Sequence, residues 1–439
     1  MKLSRFGIML LTVLLAAGSV APVFGGGGKE GGSADGRTEV TVGTWTPIPR
    51  TMNKMIAEFE KKNPDIKIRI TSPSNYNPEY LTFLQAGAGS NTLPDIVALQ
   101  PGSLTQQYRN YLADLTPYIS KSWGAGWKDK FYKINVDQMQ LGNPAGDNNI
   151  YIVPCESQII DIWYNKVLFN QLGIKVPTTW DELKTASKTL TDKGYAPLYL
   201  GGADGWQQIN LILMLSEQVA PGEIYTAQEG TTKWTSPGLL KAVQAWKDLF
   251  DSGIVQVGAL SNLAYPDGVQ QFNAGRVGMM ALGSWWPQEF TNPDAPTNVK
   301  NWVFDHFFLP PYERGGQASP PIGGMDFGFG ITKNSKNKDA AWRVLESFVG
   351  GEGIQAAIDD LNNLPSFKGI SPQASNIPDS IKEQSGRYNA VLDQARNQRM
   401  SNPEVENALQ NALAGVAAGQ LTPQQALEQV QQVQDKVSK

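Results

Sequence analysis

The sequence predicts an α/β fold built as more than one domain, and three observations carry that expectation. Its 439 residues exceed what one compact core holds. From residue 38 onward, short alternating strands are separated by amphipathic helix-length stretches, which implies parallel strands joined by crossover helices. Hydrophobic residues at 41% and charged residues at 18% are those of a folded globular chain.

Taken in order, "EVTVGTW" (39 to 45) alternates as a strand and stops at Trp45-Thr46-Pro47. "TMNKMIAEFEKKNP" puts Met52, Met55, Ile56 and Phe59 on one helical face and ends at Asn63-Pro64. "IKIRI" (66 to 70) alternates again, "EYLTFLQAGAGS" reads as a second helix, and "PDIVAL" (94 to 99) as a third strand. The first domain therefore begins as a doubly wound sheet, in which ligands sit beyond the carboxyl ends of the strands. Those ends carry Trp45, Asn75, Tyr76 and Gln100. "IYIVPCESQIIDIWYNKVLF" (150 to 169) gives two strand-like stretches with a polar kink at Cys155-Glu156-Ser157. In "PTTWDELKTASKTL", Thr179 and Glu182 have capping-box spacing. "APLYLGGADGW" (196 to 206) is a strand entering a Gly-rich turn, and "QQINLILML" continues as a helix. Further helices are expected at 237 to 252 and 266 to 274, then the strand of "VGMMALGSWW", the apolar "WVFDHFFLP", the strand "FGFGIT" and the helix "NKDAAWRVLESFVG". The last helix has Thr422 as cap, Pro423 at its first position and Gln425 completing the box.

Composition excludes several classes. The formal net charge is −4 without a basic block, so nucleic acid is not an expected partner. One cysteine, Cys155, permits no internal disulfide, and with the single His306 it leaves no Cys/His zinc site; no metal or cofactor is expected. His306, inside an apolar run, reads as a packed strand histidine rather than a catalytic one. Lys2, Arg5 and the apolar Phe6 to Ala17 read as a secretory signal ending near residue 25, too short to span a bilayer. The Gly-rich 26 to 37 reads as a flexible leader. No cysteine stands at the cleavage point to accept a lipid. A periplasmic or cell-surface location is expected.

Several stretches, in order, carry a resemblance: "PDIVAL", "WYNKVLFNQLGIKVPTTWDEL" (163 to 183), "FNAGRVGMMALGSWW" (272 to 286), "GGMDFGFGITKNSKNKDAAWRVLESFVGGEGIQ" (323 to 355) and "ALAGVAAGQLTPQQALEQVQQ" (412 to 432). Together they resemble the extracellular solute-binding proteins of bacterial ABC sugar importers, the group that includes the maltodextrin-binding protein. The resemblance implies a two-lobed periplasmic-binding-protein fold, each lobe a mostly parallel sheet flanked by helices. It places the first lobe at 38-153 and 310-354 and the second at 157-305 and 355-439, with "YIVPCES" and "FDHFFLP" as the crossing strands. It also implies a monomer that binds a sugar or oligosaccharide between its lobes, without catalysis, and docks on the transmembrane subunits of an ABC permease.

A sugar presents hydroxyls at its edge and weakly apolar C–H groups on its faces. An indole face matches the latter, and burying one contributes on the order of 2 kcal/mol. Carboxylates and amides read the hydroxyls. On that chemistry the expected ligand contacts are Trp45, Asn75, Tyr76, Gln100, Glu156, Asp204, Trp206, Trp285, Trp286 and Asp326. Each has a plainer alternative: Trp45 as core, Asp204 as a helix cap, Glu156 as a hinge residue facing water. Within the Trp285/Trp286 pair, alternation puts the rings on opposite faces, so one stacks on sugar and the other packs into its own lobe; Trp285 is favoured, but the sequence does not separate the two. Trp180 and Trp342 read as core and Arg276 as a surface charge. The competing functions are an enzyme of the glycoside-hydrolase or lyase kind, whose paired carboxylates such a cleft imitates, and a carrier of a peptide, a polyamine or a phosphorylated polyol.

Overall fold

A computed structural model describes residues 36–373 and 377–438. The expected signal peptide, and the leader up to residue 35, lie outside the described residues. Among the described residues, ten strands form one mixed sheet: β1 Thr38–Gly43, β2 Ile66–Ile70, β3 Ile96–Leu99, β4 Val153–Asn165, β5 Ala196–Tyr199, β6 Val277–Gly283, β7 Phe304–Phe307, β8 Ile322–Ile331, β9 Leu364–Pro365 and β10 Arg396–Asn397. The main path runs β2-β1-β3-β8-β4-β6-β5, with β7 and β9 on β4 and β10 on β8. β1 pairs in parallel with β2 and β3, and β5 with β6, as the crossover pattern requires. The long β4 and β8 run antiparallel to each other and to their neighbours β6 and β3.

The apolar cores divide along β4 and β8. Cys155 and Met325 pack with Val40, Phe59, Ile96 and Phe348 in the first core. Ile160 and Ile322 pack with Leu183, Leu213 and Trp246, and Ile159 with Trp163, Phe272 and Trp286, in the second half of the molecule. The polar kink at 155–157 is an irregularity inside one continuous strand: β4 shifts register against β8 on either side of Glu156. Such bulges bend a strand and re-aim a side chain. The return crossing lies in β8 at Gly323-Gly324, not at "FDHFFLP". Phe304–Phe307 pairs with the far half of β4, Leu309 packs in the second core, and Tyr312 donates its backbone N–H to Gln218 Oε1 (2.9 Å). Residues 310–312 thus go with the second half. Ile354, Ala357 and Ile358 pack in the first core, past the expected boundary at 354. An apolar run signalled a crossing strand, whereas the strand that passes between the cores carries two glycines at the crossing. Gly324 has φ +111°, and a side chain there would collide with the Gln138 amide. That amide accepts from Met325 N (2.5 Å) and donates to Asn397 Oδ1 (2.6 Å), fastening the crossing.

Local signals were otherwise reliable. The Thr422/Gln425 capping box is complete. At Thr179 only half of one forms, because Glu182 turns to Thr178 N and Oγ1 (both 2.7 Å) instead of Thr179 N. Trp180 and Trp342 are buried and Arg276 is exposed. His306, on β7, contacts Asp161 Oδ2 through Nδ1 (2.6 Å), so it is a bonded core group. Among the described residues no helix is long and apolar enough to cross a membrane.

Candidate functional site

A cavity of about 330 Å³ opens between the two halves, at the irregularity in β4. Nine of the ten expected contacts line it: Trp45, Asn75, Tyr76, Gln100, Glu156, Asp204, Trp206, Trp285 and Asp326. The tenth, Trp286, does not. It is fully buried, with ring centroids 4.6 Å from Phe304, 4.9 Å from Phe272, 5.0 Å from Trp163 and 5.1 Å from Trp302.

The pair at 285–286 separates for a different reason than strand alternation. β6 ends at Gly283, and Ser284 ties the exit to β4 through Ser284 N to Ile159 O (2.8 Å) and Ile159 N to Ser284 Oγ (3.2 Å). Trp285 already has helical dihedrals and starts a tight 3₁₀ turn, Trp286–Thr291. Successive residues of such a turn point about a third of a circle apart. Trp285 lies over Gly283, where any Cβ would collide with its six-membered ring. Its Nε1 donates to Tyr265 Oη (2.9 Å), and its ring meets Trp206 edge-on at 5.9 Å. Across the cavity, Trp45 at the end of β1 packs against Tyr76 (4.9 Å), Tyr80 (5.0 Å) and Phe327 (5.6 Å), and Tyr76 Oη donates to Gln100 Oε1 (2.9 Å). Each half therefore presents aromatic rings held by their neighbours, leaving little rotamer entropy to lose when a ligand arrives.

The rest of the wall is mostly polar, with amides, the carboxylates Glu156, Asp204, Glu289 and Asp326, and one cation. Asp204 Oδ2 accepts from Ala264 N (2.7 Å) in the loop before the helix Trp206–Val219 rather than capping that helix. Glu156 is 1% exposed, so it is no solvent-facing hinge residue; Asn363 Nδ2 donates to its Oε2 (2.8 Å), and Oε1 has no partner among the described residues. Asp326 accepts from Arg399 Nη2 (3.4 Å), which also donates to the Asp326 carbonyl (2.7 Å). Burial pushes the Glu156 carboxyl up to about 8 against the pull of the Asn363 bond, and the Asp326 carboxyl up to about 6 against the Arg399 charge. Burial also raises Glu289, which accepts from Asn273 Nδ2 (3.1 Å). Arg399 is the one cationic side chain among the described residues lining this cavity. Sequence reasoning missed Arg399, Tyr265, Asn210, Glu289 and Asn363. They come from loops and helix ends without a local motif, and only the fold brings them to one surface. Among the described residues no group of His, Cys, Asp and Glu is arranged to hold a metal ion.

The Glu156 shift has a testable sign. Folded, the carboxyl keeps its proton up to about pH 8; unfolded, it loses it near 4.5. Between those values the folded state binds the extra proton, so the stability this group confers is present at low pH and is lost as pH rises toward 8. In ligand-free protein, the stability of Glu156→Gln relative to wild type is expected to grow from pH 5 to 8, by at most about 1.4 kcal/mol per unit, and to level off above. Denaturant unfolding at several pH values reads this directly; parallel curves for the two proteins contradict it.

Comparison with known proteins follows the geometry. The sequence profile of the family described as bacterial extracellular solute-binding protein matches residues 43–353. The Multiple sugar-binding protein of Streptococcus mutans is 24% identical over 381 residues, 84% of this chain and 83% of that one. The Alpha-glucosides-binding periplasmic protein of Rhizobium meliloti is 24% identical over 346 residues, 74% of this chain and 71% of that one. Among solved structures, a Chitin oligosaccharide binding protein superposes with a TM-score of 0.73 at 26% identity, covering 91% of this chain and 98% of its own.

Proposed function

Because this chain belongs to the bacterial extracellular solute-binding protein family, we propose that it captures a sugar or oligosaccharide between its lobes and delivers it to an ABC permease. One observation carries the reading. Trp45 and Tyr76 from one half, and Trp206 and Trp285 from the other, share a single cavity whose remaining wall is rich in carboxylates and amides. Such a surface matches both the apolar faces and the hydroxyl edge of a pyranose. The names of the similar proteins, a multiple sugar-binding, an α-glucoside-binding and a chitin-oligosaccharide-binding protein, support the same class.

In this reading the first lobe is built on β1 to β3 and the second on β5 to β7, hinged where β4 and β8 cross. A solute touching both lobes stabilises the closed state only by the contacts it lacks in the open one. The protein is a secreted monomer, it docks in the closed form on transmembrane permease subunits, and it returns oligosaccharides uncleaved. A thermal-shift screen against a panel of mono- and oligosaccharides tests the reading. A ligand at 100 times its dissociation constant is expected to add about 2.7 kcal/mol. A flat response to every saccharide, with a shift for a peptide or a polyamine, contradicts it.

A further inference from the structure

The carboxyl groups of the aromatic cavity outnumber its cations. Among the described residues Glu156, Asp204, Glu289 and Asp326 line it against a single guanidinium, that of Arg399. A neutral saccharide needs acceptors, which amides supply as well, and gains nothing from an excess of negative charge. Taking carboxylates out of water without a countercharge is costly. Here that cost shows as retained protons: burial lifts Glu156 to about 8 and Asp326 to about 6, and raises Glu289 as well. The free cavity is short of positive charge.

A second, independent observation lies in the hydrogen bonds that are missing. Glu156 and Asn363 are 1% and 4% exposed, both line the cavity, and Asn363 Nδ2 donates to Glu156 Oε2 (2.8 Å). The other oxygen of each, Glu156 Oε1 and Asn363 Oδ1, has no partner among the described residues. Buried polar atoms are nearly always bonded, so two neighbouring side chains with orphan acceptors call for a group rich in donors. An ammonium offers three donors and no acceptor. Arg399 Nε, on the same cavity, is an orphan donor and calls for an acceptor. The indoles of Trp45, Trp206 and Trp285 add faces that attract a cation.

We infer that the solute is an aminated sugar, its protonated amine seated on Glu156 and Asn363 and one of its oxygens accepting from Arg399 Nε. The inference rests on the saccharide reading above and adds the charge of the sugar to it. A polyamine fits less well, because it has no acceptor for Arg399 and its charge repels the guanidinium. A neutral sugar offers hydroxyls to the orphan oxygens but leaves the excess carboxyls uncompensated. When the ammonium arrives, Glu156 gives up its proton and becomes the counter-ion. Asp326, Asp204, Glu289, Tyr76, Tyr265 and Arg399 are the other titratable side chains of the cavity, and only Arg399 opposes the incoming charge. Free protein holds that proton up to about pH 8 and the complex does not, so affinity for the amine rises with pH below that value.

Calorimetric titration with glucosamine, galactosamine and mannosamine, each beside its N-acetylated and its hydroxyl parent, tests it, with spermidine as the sugar-free amine. The runs are made at pH 6 and pH 7 in buffers of different ionisation enthalpy. For the set that binds, the aminated member is expected to bind at least about tenfold more tightly than either parent, to release protons to the buffer, and to tighten from pH 6 to pH 7. Glu156→Gln, nearly the same in shape, is expected to erase both that advantage and the proton release. A parent that binds as tightly as the amine, or no binding by any aminated member, overturns the inference and leaves the saccharide reading to the wider panel. An advantage that survives Glu156→Gln overturns the seat of the amine. Spermidine binding more tightly than every sugar overturns both readings.

Discussion

Replacing Trp286 by alanine is expected to cost the fold about 3–5 kcal/mol, whereas the same change one residue earlier weakens sugar binding and leaves the fold nearly intact. The two rings are adjacent in the chain and opposite in environment. Trp286 is enclosed by Trp163, Phe272, Trp302 and Phe304, so truncation leaves a large cavity that rigid neighbours do not fill. Trp286→Phe is expected to cost much less, since it keeps most of the volume and removes an indole N–H that has no partner among the described residues. Trp285 is only half-buried and borders the cavity. Its loss removes one stacking face and frees Tyr265, an expected drop in affinity of about thirtyfold from roughly 2 kcal/mol of burial. Denaturant unfolding and calorimetry on the same two variants separate the roles. Equal stability loss in both contradicts the assignment.

Arg399→Ala carries the other large effect. Its guanidinium is 11% exposed and compensates Asp326, itself 19% exposed, in a cavity whose other charged groups are Glu156, Asp204 and Glu289. Removing the cation leaves a largely buried carboxylate uncompensated, which costs about 3–5 kcal/mol. Asp326 escapes part of that cost by holding a proton. Its carboxyl already sits near 6 beside Arg399 and climbs further without it. The folded state then binds the extra proton over a wider range, so the destabilisation is expected to be small at pH 5 and full at pH 8. Adding Asp326→Asn to Arg399→Ala is expected to recover stability at pH 8 without recovering sugar affinity. Arg399→Lys is expected to recover part of each, because an ammonium restores the charge but on a shorter stem than the one that brings Nη2 to the Asp326 carbonyl and carboxylate. A pH-independent loss contradicts this account of the pair.

What was legible in the chain followed from local rules. Trp45, Tyr76 and Gln100 were found because strands of a doubly wound sheet deliver their carboxyl ends to a cleft, and the strands themselves were marked by alternation. Trp206 and Asp204 were found because a Gly-rich turn between strand and helix lets the backbone come close to a ligand. The Trp285/Trp286 pair was marked because a glycine stops a buried strand just before it, but which ring meets the cavity was not legible. Arg399, Tyr265, Asn210 and Asn363 were not legible. No spacing links them: Asn363 and Arg399 flank β9 and β10, which pair with β4 and β8, whereas Asn210 and Tyr265 come from helical segments far away in the chain. The crossing itself was misplaced for a related reason: hydrophobicity marks a strand but does not say which core the strand serves, and Phe304–Phe307 serves the same core as the far half of β4.

The central claim is that one solute is gripped by indoles from both lobes at once. Calorimetric titration of the tightest saccharide into Trp45→Ala, Trp285→Ala and the double variant tests it most directly, since the two rings sit on opposite walls of the same cavity. Each single change is expected to weaken binding at least tenfold and the double change at least a hundredfold, with the folded state retained throughout. Wild-type affinity in the double variant, or a loss confined to one lobe's tryptophan, would contradict the account.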